Sequence, residues 1–289
     1  MTTVDALLAG PRLQRGAGAR AALRKVGVTD TAVLAALGLI CLVALLAPLL
    51  APHSTSVPSG PTFAAPGAPG HLLGTDEVGR DLLSRVLSGV RSSWLSALLV
   101  IASGVLIGGV VGLAAGTLGG WVDGLLMRTT DAFLALPGPL LAIAVVAALG
   151  PSLTHTLVAV VVVWWPLYAR IVRGEIRAQA ARPFVEAARL AGVSRTRIAF
   201  RHLLPGATAS TLVTASLDIG NLVLTLAALS FLGLGAPAPA PELGGMAARG
   251  LPNLLEHYWV PVVPGVAVML LALVANLAGD ALRNLLTDR

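Results

Sequence analysis

Asp218 is the one formally charged residue between Arg201 and Glu242, and Asn221 follows it three positions on. That spacing puts both on one face of a helix. A carboxyl group in an apolar helix either lines a pathway or hydrogen-bonds a neighbouring helix, here as a lock between two subunits. Other chemistry is sparse. The histidines at 53, 71, 155, 202 and 257 show no His-x-x-x-His spacing, so loop or surface roles are expected and no metal ligand is assigned. Cys41 stands alone, which excludes an intrachain disulfide framework and a thiolate cluster from this chain. Lys25, between Arg24 and Val26, is the one lysine, so the phosphate-binding pattern Gly-x-x-x-x-Gly-Lys-Ser/Thr does not occur. No Ser-His-Asp signature is present either. No catalytic residue is assigned.

Two further stretches carry patterned polar residues. In 173–206, Pro183 suits the first turn of a helix that runs through Glu186-Ala187-Ala188-Arg189 to a stop at Gly192. Ser194 then reads as the N-cap of a second short helix, Arg195 to about Leu203, closed by Pro205. Ala187, Ala188 and Gly192 are small enough to let another backbone approach. In 51–91, a Pro/Gly/Ser stretch without charge up to Gly70 is expected to be irregular. It is followed by Leu82, Leu83, Val86, Leu87 and Val90 on one helical face. Arg80, Asp81, Arg85 and Arg91 surround that face. The reading is an amphipathic helix on a membrane surface, either a docking site for a partner or a lid packed on the bundle.

The elements that position these groups follow from composition. Of the 289 residues, 56% are hydrophobic and 12% charged, about half the charge of a soluble domain. Mean hydropathy is +0.84. These values exclude disorder and point to an integral membrane protein in a lipid bilayer. Gaps between charges give six spans: 31–50, then about 93–116, 132–149, 154–172, 208–232 and 258–280, each near the ~20 residues a bilayer needs. Gly150-Pro151 divides the third from the fourth. The first is too long for a secretory signal core and is expected to stay uncleaved. Gly104, Gly108 and Gly112 form a small-xxx-small ladder for helix packing.

An even number of spans puts both termini on one side. Placing them in the cytoplasm leaves all but Arg80, Arg85, Arg91 and Arg249 of the 20 basic residues on inner segments. The formal charge of +6 therefore reflects topology rather than nucleic-acid binding. Residues 1–30 become a basic inner tail, 51–91 an outer segment, 92–281 the permeating core with 173–206 inside, and 282–289 a short inner tail. Every basic residue but Lys25 is arginine, a bias of GC-rich genomes that fits a bacterial cytoplasmic membrane.

The spacing within 173–206 is specific: Glu186-Ala187-Ala188, Gly192 four residues after Ala188, then His202-Leu203-Leu204-Pro205. It resembles the EAA loop of ABC importer permeases. Gly74-Thr75-Asp76, Gly79-Arg80-Asp81, Gly120-Trp121-Val122-Asp123-Gly124, Met127-Arg128, Asp131, Pro137 and Leu229-Ser230-Phe231-Leu232-Gly233-Leu234-Gly235 are similar to the C-type permease subunit of dipeptide, oligopeptide and nickel importers. The likeness covers about 71–289. Departures are Leu226, where members often carry an acid, Leu243 for Trp, Gly206 for Asn, and Asn284 for Asp.

The resemblance implies an all-α permease of type I importers, with six transmembrane helices and a cytoplasmic coupling helix. It implies a sister permease, two ATPase subunits carrying ATP and Mg, and an extracytoplasmic substrate-binding protein, with no cofactor on this chain. Glu186 and Arg189 would meet the ATPase, Ala187, Ala188 and Gly192 would allow close packing, and His202, Leu204 and Pro205 would set the exit into the fifth span. Cargo stays open among dipeptides, longer peptides and nickel chelates. The alternative is a self-contained secondary transporter or channel using Asp218, which would favour inverted repeats and paired broken helices.

Overall fold

A computed structural model describes residues 28–287. The basic tail expected before residue 28 and the last two residues lie outside them. The described chain is helical: α1 Val28–Leu50, α2 Leu82–Leu118, α3 Gly120–Leu134, α4 Gly138–Leu149, α5 Leu153–Ala180, α6 Pro183–Leu190, α7 Arg195–Ile198, α8 Leu204–Phe231, α9 Leu243–Gly250 and α10 Trp259–Thr287. Five helical stretches are long and apolar enough to cross a membrane, and α3 with α4 makes a sixth only as a pair bent by 86°.

That bend corrects the third span, expected as one helix over 132–149. Its cause is local. Pro137 is the N-cap of α4 and Pro139 sits in its first turn, so the helix from Gly120 cannot continue through 136–139. With 12 residues, α4 is about 18 Å long, short of the ~30 Å hydrocarbon core. The separate surface helix expected before the second span is corrected too. Asp81 caps a single 37-residue helix, and no proline interrupts it before Gly119. Pro48 lies within α1, close to its end at Leu50.

The glycine ladder explains how the bundle closes. A Cβ on Gly108 would stand 2.5 Å from the Trp165 carbonyl oxygen, and one on Gly112 2.5 Å from that of Ala169. A Cβ on Gly116 would stand 2.6 Å from the Ile176 side chain. α2 and α5 therefore touch backbone to backbone, the packing that small-xxx-small patterns permit. Trp94, Val100, Val146, Val160, Tyr168 and Leu222 fill the centre between α2, α4, α5 and α8. Leu42, Leu49, Leu99, Leu106, Val110 and Leu270 point outward from the helices, as lipid-facing residues do.

Candidate functional site

At one end of the bundle, α6 is mounted on the two helices that flank it. Val185 is fully buried among Val172 and Ile176 of α5, Ile198 of α7, Leu203, and Ala207 of α8. Glu186, Ala187 and Arg189 are exposed, Ala188 is half-buried, and Phe184 and Leu190 stand in the open, Leu190 at 85% exposure. The helix thus presents an outward face with apolar and charged groups while one valine holds it from behind.

Gly192 ends α6 with φ of +75°, and its place in the turn explains why. The Val193 amide donates to the Ala188 carbonyl at 3.1 Å and the Gly192 amide to the Arg189 carbonyl at 3.0 Å. This paired closure needs a left-handed residue. A Cβ there would meet nothing within 4 Å, so the glycine answers a backbone requirement of this chain and not a tight contact within it. The second short helix differs from expectation. Arg195–Ile198 runs through a π-turn, Ala199–Leu203, straight into α8. Pro205 has no N–H and its ring would strike the Arg201 carbonyl in a regular helix, so the wide turn absorbs it instead of stopping the chain. His202 is half-buried with an unpartnered Nδ1.

Ion pairs brace the same end. Asp123 of α3 accepts from Nε and Nη2 of Arg173 and from Nη2 of Arg177, and Asp131 accepts from Arg170. Part of the positive charge on 170–177 is thus neutralised within the chain. Further into the bundle, Asp218 accepts from Trp164 Nε1 and from Tyr168 Oη, the latter at 3.2 Å. Its carboxylate links α8 to α5. Asn221 is exposed and does not share that contact.

At the opposite end, 51–81 and α9 form a cap. Asp76 accepts from the amides of Val78 and Arg80 at 3.0 and 2.9 Å and from Arg80 Nε at 2.7 Å. Arg85 Nε lies 3.4 Å from the same carboxylate, and its Nη1 donates to the carbonyls of Thr55 and Pro239. Arg80, Asp81 and Arg85 are buried, Arg85 at 1% exposure, which corrects their reading as an outward docking surface. Arg91 is half-buried and donates to the Leu45 carbonyl. Asp81 receives Ser84 Oγ and the Ser84 amide at 2.7 and 2.8 Å and His71 Nδ1 at 2.9 Å. Burial pushes its carboxyl up, but these hydrogen bonds outweigh it and hold the group below its usual range.

A family model described as the binding-protein-dependent transport system inner membrane component matches residues 104–289. The chain belongs to that family. It is 40% identical over 257 residues to the di/tripeptide transport system permease protein of Pseudomonas aeruginosa (strain UCBPP-PA14), covering 87% of this chain and 85% of the relative. It is 41% identical over 219 residues to the glutathione transport system permease protein of Pectobacterium atrosepticum, covering 76% and 73%. Among solved structures, the inward-facing MetNI methionine ABC transporter aligns with a TM-score of 0.57 at 20% identity, over 70% of this chain and 96% of that one. That likeness establishes the fold.

The permease is therefore a multi-pass membrane subunit of an ABC importer, non-catalytic in itself, and membership implies ATPase and substrate-binding partners. Family membership gives the secondary-transporter reading no support. Three features of the permease escaped the sequence. Glu242 is buried and caps α9 by accepting from the Gly244 and Gly245 amides at 3.4 and 3.0 Å. Burial raises its carboxyl above the usual range, with these amides and Ser230 opposing. No motif marks Trp164 and Tyr168 as donors to Asp218, and the spacing of His53 and His71 does not show that they meet at Asp81.

Proposed function

We propose that this chain is one half of a heterodimeric pore that carries short peptides across the bacterial cytoplasmic membrane by alternating access. Its sister permease would complete the pore, two ATPase subunits carrying ATP and Mg would drive it, and an extracytoplasmic protein would deliver the cargo. The termini and α6 lie in the cytoplasm, as the distribution of arginines favours.

One observation carries the reading: α6 is gripped through Val185 by both α5 and α8 while Phe184, Glu186, Ala187, Arg189 and Leu190 face outward. A partner that displaces α6 moves both spans together, because packed interfaces shift as units rather than deforming smoothly. Glu186 and Arg189 supply polar contacts to the ATPase. Ala187 and Ala188 keep the surface flat, and Gly192 fixes how α6 leaves the bundle. His202, Leu204 and Pro205 lie in or beside the π-turn through which motion reaches α8. The relatives are named for di/tripeptide and glutathione transport, which favours short peptides as cargo.

The test is to tag the chain, extract it in mild detergent from its native membrane and identify stoichiometric partners by mass spectrometry. A second permease with ATPase subunits is the expected result. Recovery alone, or as a homo-oligomer, under conditions that keep known importers intact would overturn the reading. Competition of labelled dipeptide uptake by unlabelled peptides then defines cargo length.

A further inference from the structure

The cap holds a cluster that the coupling loop does not explain. His53, three residues past α1, His71, in the turn that starts at Ala68, and Asp81, the N-cap of α2, converge from three separate segments. Each offers one ligand atom, and these atoms all lie within 4.8 Å of one another. His71 Nδ1 stands 2.9 Å from Asp81 Oδ1, and His53 Nδ1 stands 3.8 Å from Asp81 Oδ2. His71 and Asp81 are buried. His53 is 31% exposed, yet its Nδ1 is covered and has no hydrogen-bond partner.

We propose that His53, His71 and Asp81 form a zinc site that clips the cap to the head of α2. Two imidazoles and one carboxylate are a donor set suited to zinc, leaving a fourth position for water on the open side of His53. Zinc bonds of about 2.0–2.2 Å in a tetrahedron place ligand atoms about 3.3 Å apart. The His71–Asp81 separation of 2.9 Å is already near that value, and all three ligand atoms lie within 4.8 Å of one another, so a closure of at most about 1.5 Å by the side chains admits the ion.

The surroundings hold these ligands in place. Ser84 donates its amide and hydroxyl to Asp81 Oδ2, and the same hydroxyl oxygen accepts from the His53 amide at 3.0 Å. The His71 amide is fixed to the Ala68 carbonyl at 2.8 Å. Such outer contacts orient ligands and hold their geometry. The His53 Nδ1 is covered, has no hydrogen-bond partner and stands 3.8 Å from Asp81 Oδ2, and a buried imidazole nitrogen left in that state is costly.

The experiment measures zinc in the assembled transporter, purified in detergent and exchanged into zinc-buffered solution, for the unaltered chain and for His53→Ala. The His71–Asp81 contact survives that substitution. About one extra zinc per unaltered chain is expected, with affinity reduced by roughly 100-fold or more in the variant. Equal zinc content and equal affinity in both would overturn the proposal. Should His53→Ala fail to assemble, His53→Cys decides. A zinc–sulfur shell at about 2.3 Å in the X-ray absorption spectrum supports the site, and its absence overturns it.

Discussion

The side-chain amide of Gln179 occupies the volume that a side chain on Gly206 would need, with Nε2 1.7 Å from where a Cβ would stand. Gln179 is buried at the end of α5, and Gly206 opens α8 just after Pro205. The two helices that grip α6 thus meet through one large and one absent side chain. Gly206→Asn, the residue expected there from the family resemblance, should cost about 1–3 kcal/mol through overpacking. Gln179→Ala should recover much of that loss in the double variant. Thermal unfolding midpoints of the four proteins in detergent give the coupling, and simple additivity would argue against the shared volume.

Gly192 allows a second prediction with two graded outcomes. Its φ of +75° suits glycine, tolerates asparagine and penalises β-branched residues. Gly192→Asn should keep most peptide uptake. Gly192→Val should lose it while membrane insertion and level stay normal, at a local cost of about 1–2 kcal/mol. A Cβ at this position meets no atom of this chain within 4 Å, so equal loss in both variants would point to contact with a partner.

What the bilayer demands is legible along the chain, and what the fold brings together is not. Long apolar runs, broken by a charge only at Asp218, pointed to α1, α5, α8 and α10, because each must satisfy its own backbone in an apolar solvent. Hydropathy does not register backbone geometry, so residues 132–149 looked continuous across Pro137 and Pro139. The Glu186-to-Pro205 spacing was legible because that segment is local. Arg85 was not, since its two carbonyl partners lie 30 and 154 residues away. Its amphipathic setting suggested a surface, while the cap had enclosed it.

Arg85 joins Thr55, Asp76 and Pro239, and its loss should therefore loosen three segments at once. Asp76 keeps Arg80, so the cost falls on the Thr55 and Pro239 carbonyls left without a donor, about 1–3 kcal/mol for each. Arg85→Ala should speed hydrogen exchange across 51–81 and around Pro239 while leaving α6 protected. Arg85→Lys should not restore protection, because an ammonium cannot reproduce the planar fork that reaches separate acceptors. Unchanged exchange in the cap would contradict this role.

Asp218 separates an interhelical lock from a pathway group. Asparagine keeps an oxygen that can accept from Trp164 and Tyr168, whereas leucine leaves both donors unpaired between α5 and α8. Asp218→Asn should retain uptake near the unaltered level. Asp218→Leu should lower the unfolding midpoint by the equivalent of about 0.6–2 kcal/mol, the range for hydrogen bonds between membrane helices. Loss of uptake in Asp218→Asn without loss of stability would instead assign the carboxylate a charge-dependent step.

Glu242 makes the stability of the cap depend on pH. Burial raises its carboxyl in the folded chain above the value in the unfolded chain, despite the amides of Gly244 and Gly245. Between those two values the folded state binds more protons, so its stability falls as pH rises through that window. Other carboxylates in the cap act in the opposite sense, Asp81 among them. The readout is therefore the difference between unaltered and Glu242→Gln proteins. Glutamine keeps an acceptor for the α9 amides and carries no titrating proton. Its unfolding midpoint relative to the unaltered protein should rise on going from about pH 4 to about pH 7. Glu242→Ala should be less stable than Glu242→Gln by about 1 kcal/mol, the usual loss for a missing cap. A pH-independent difference between the unaltered protein and Glu242→Gln would show that folding does not shift the titration of this carboxyl group.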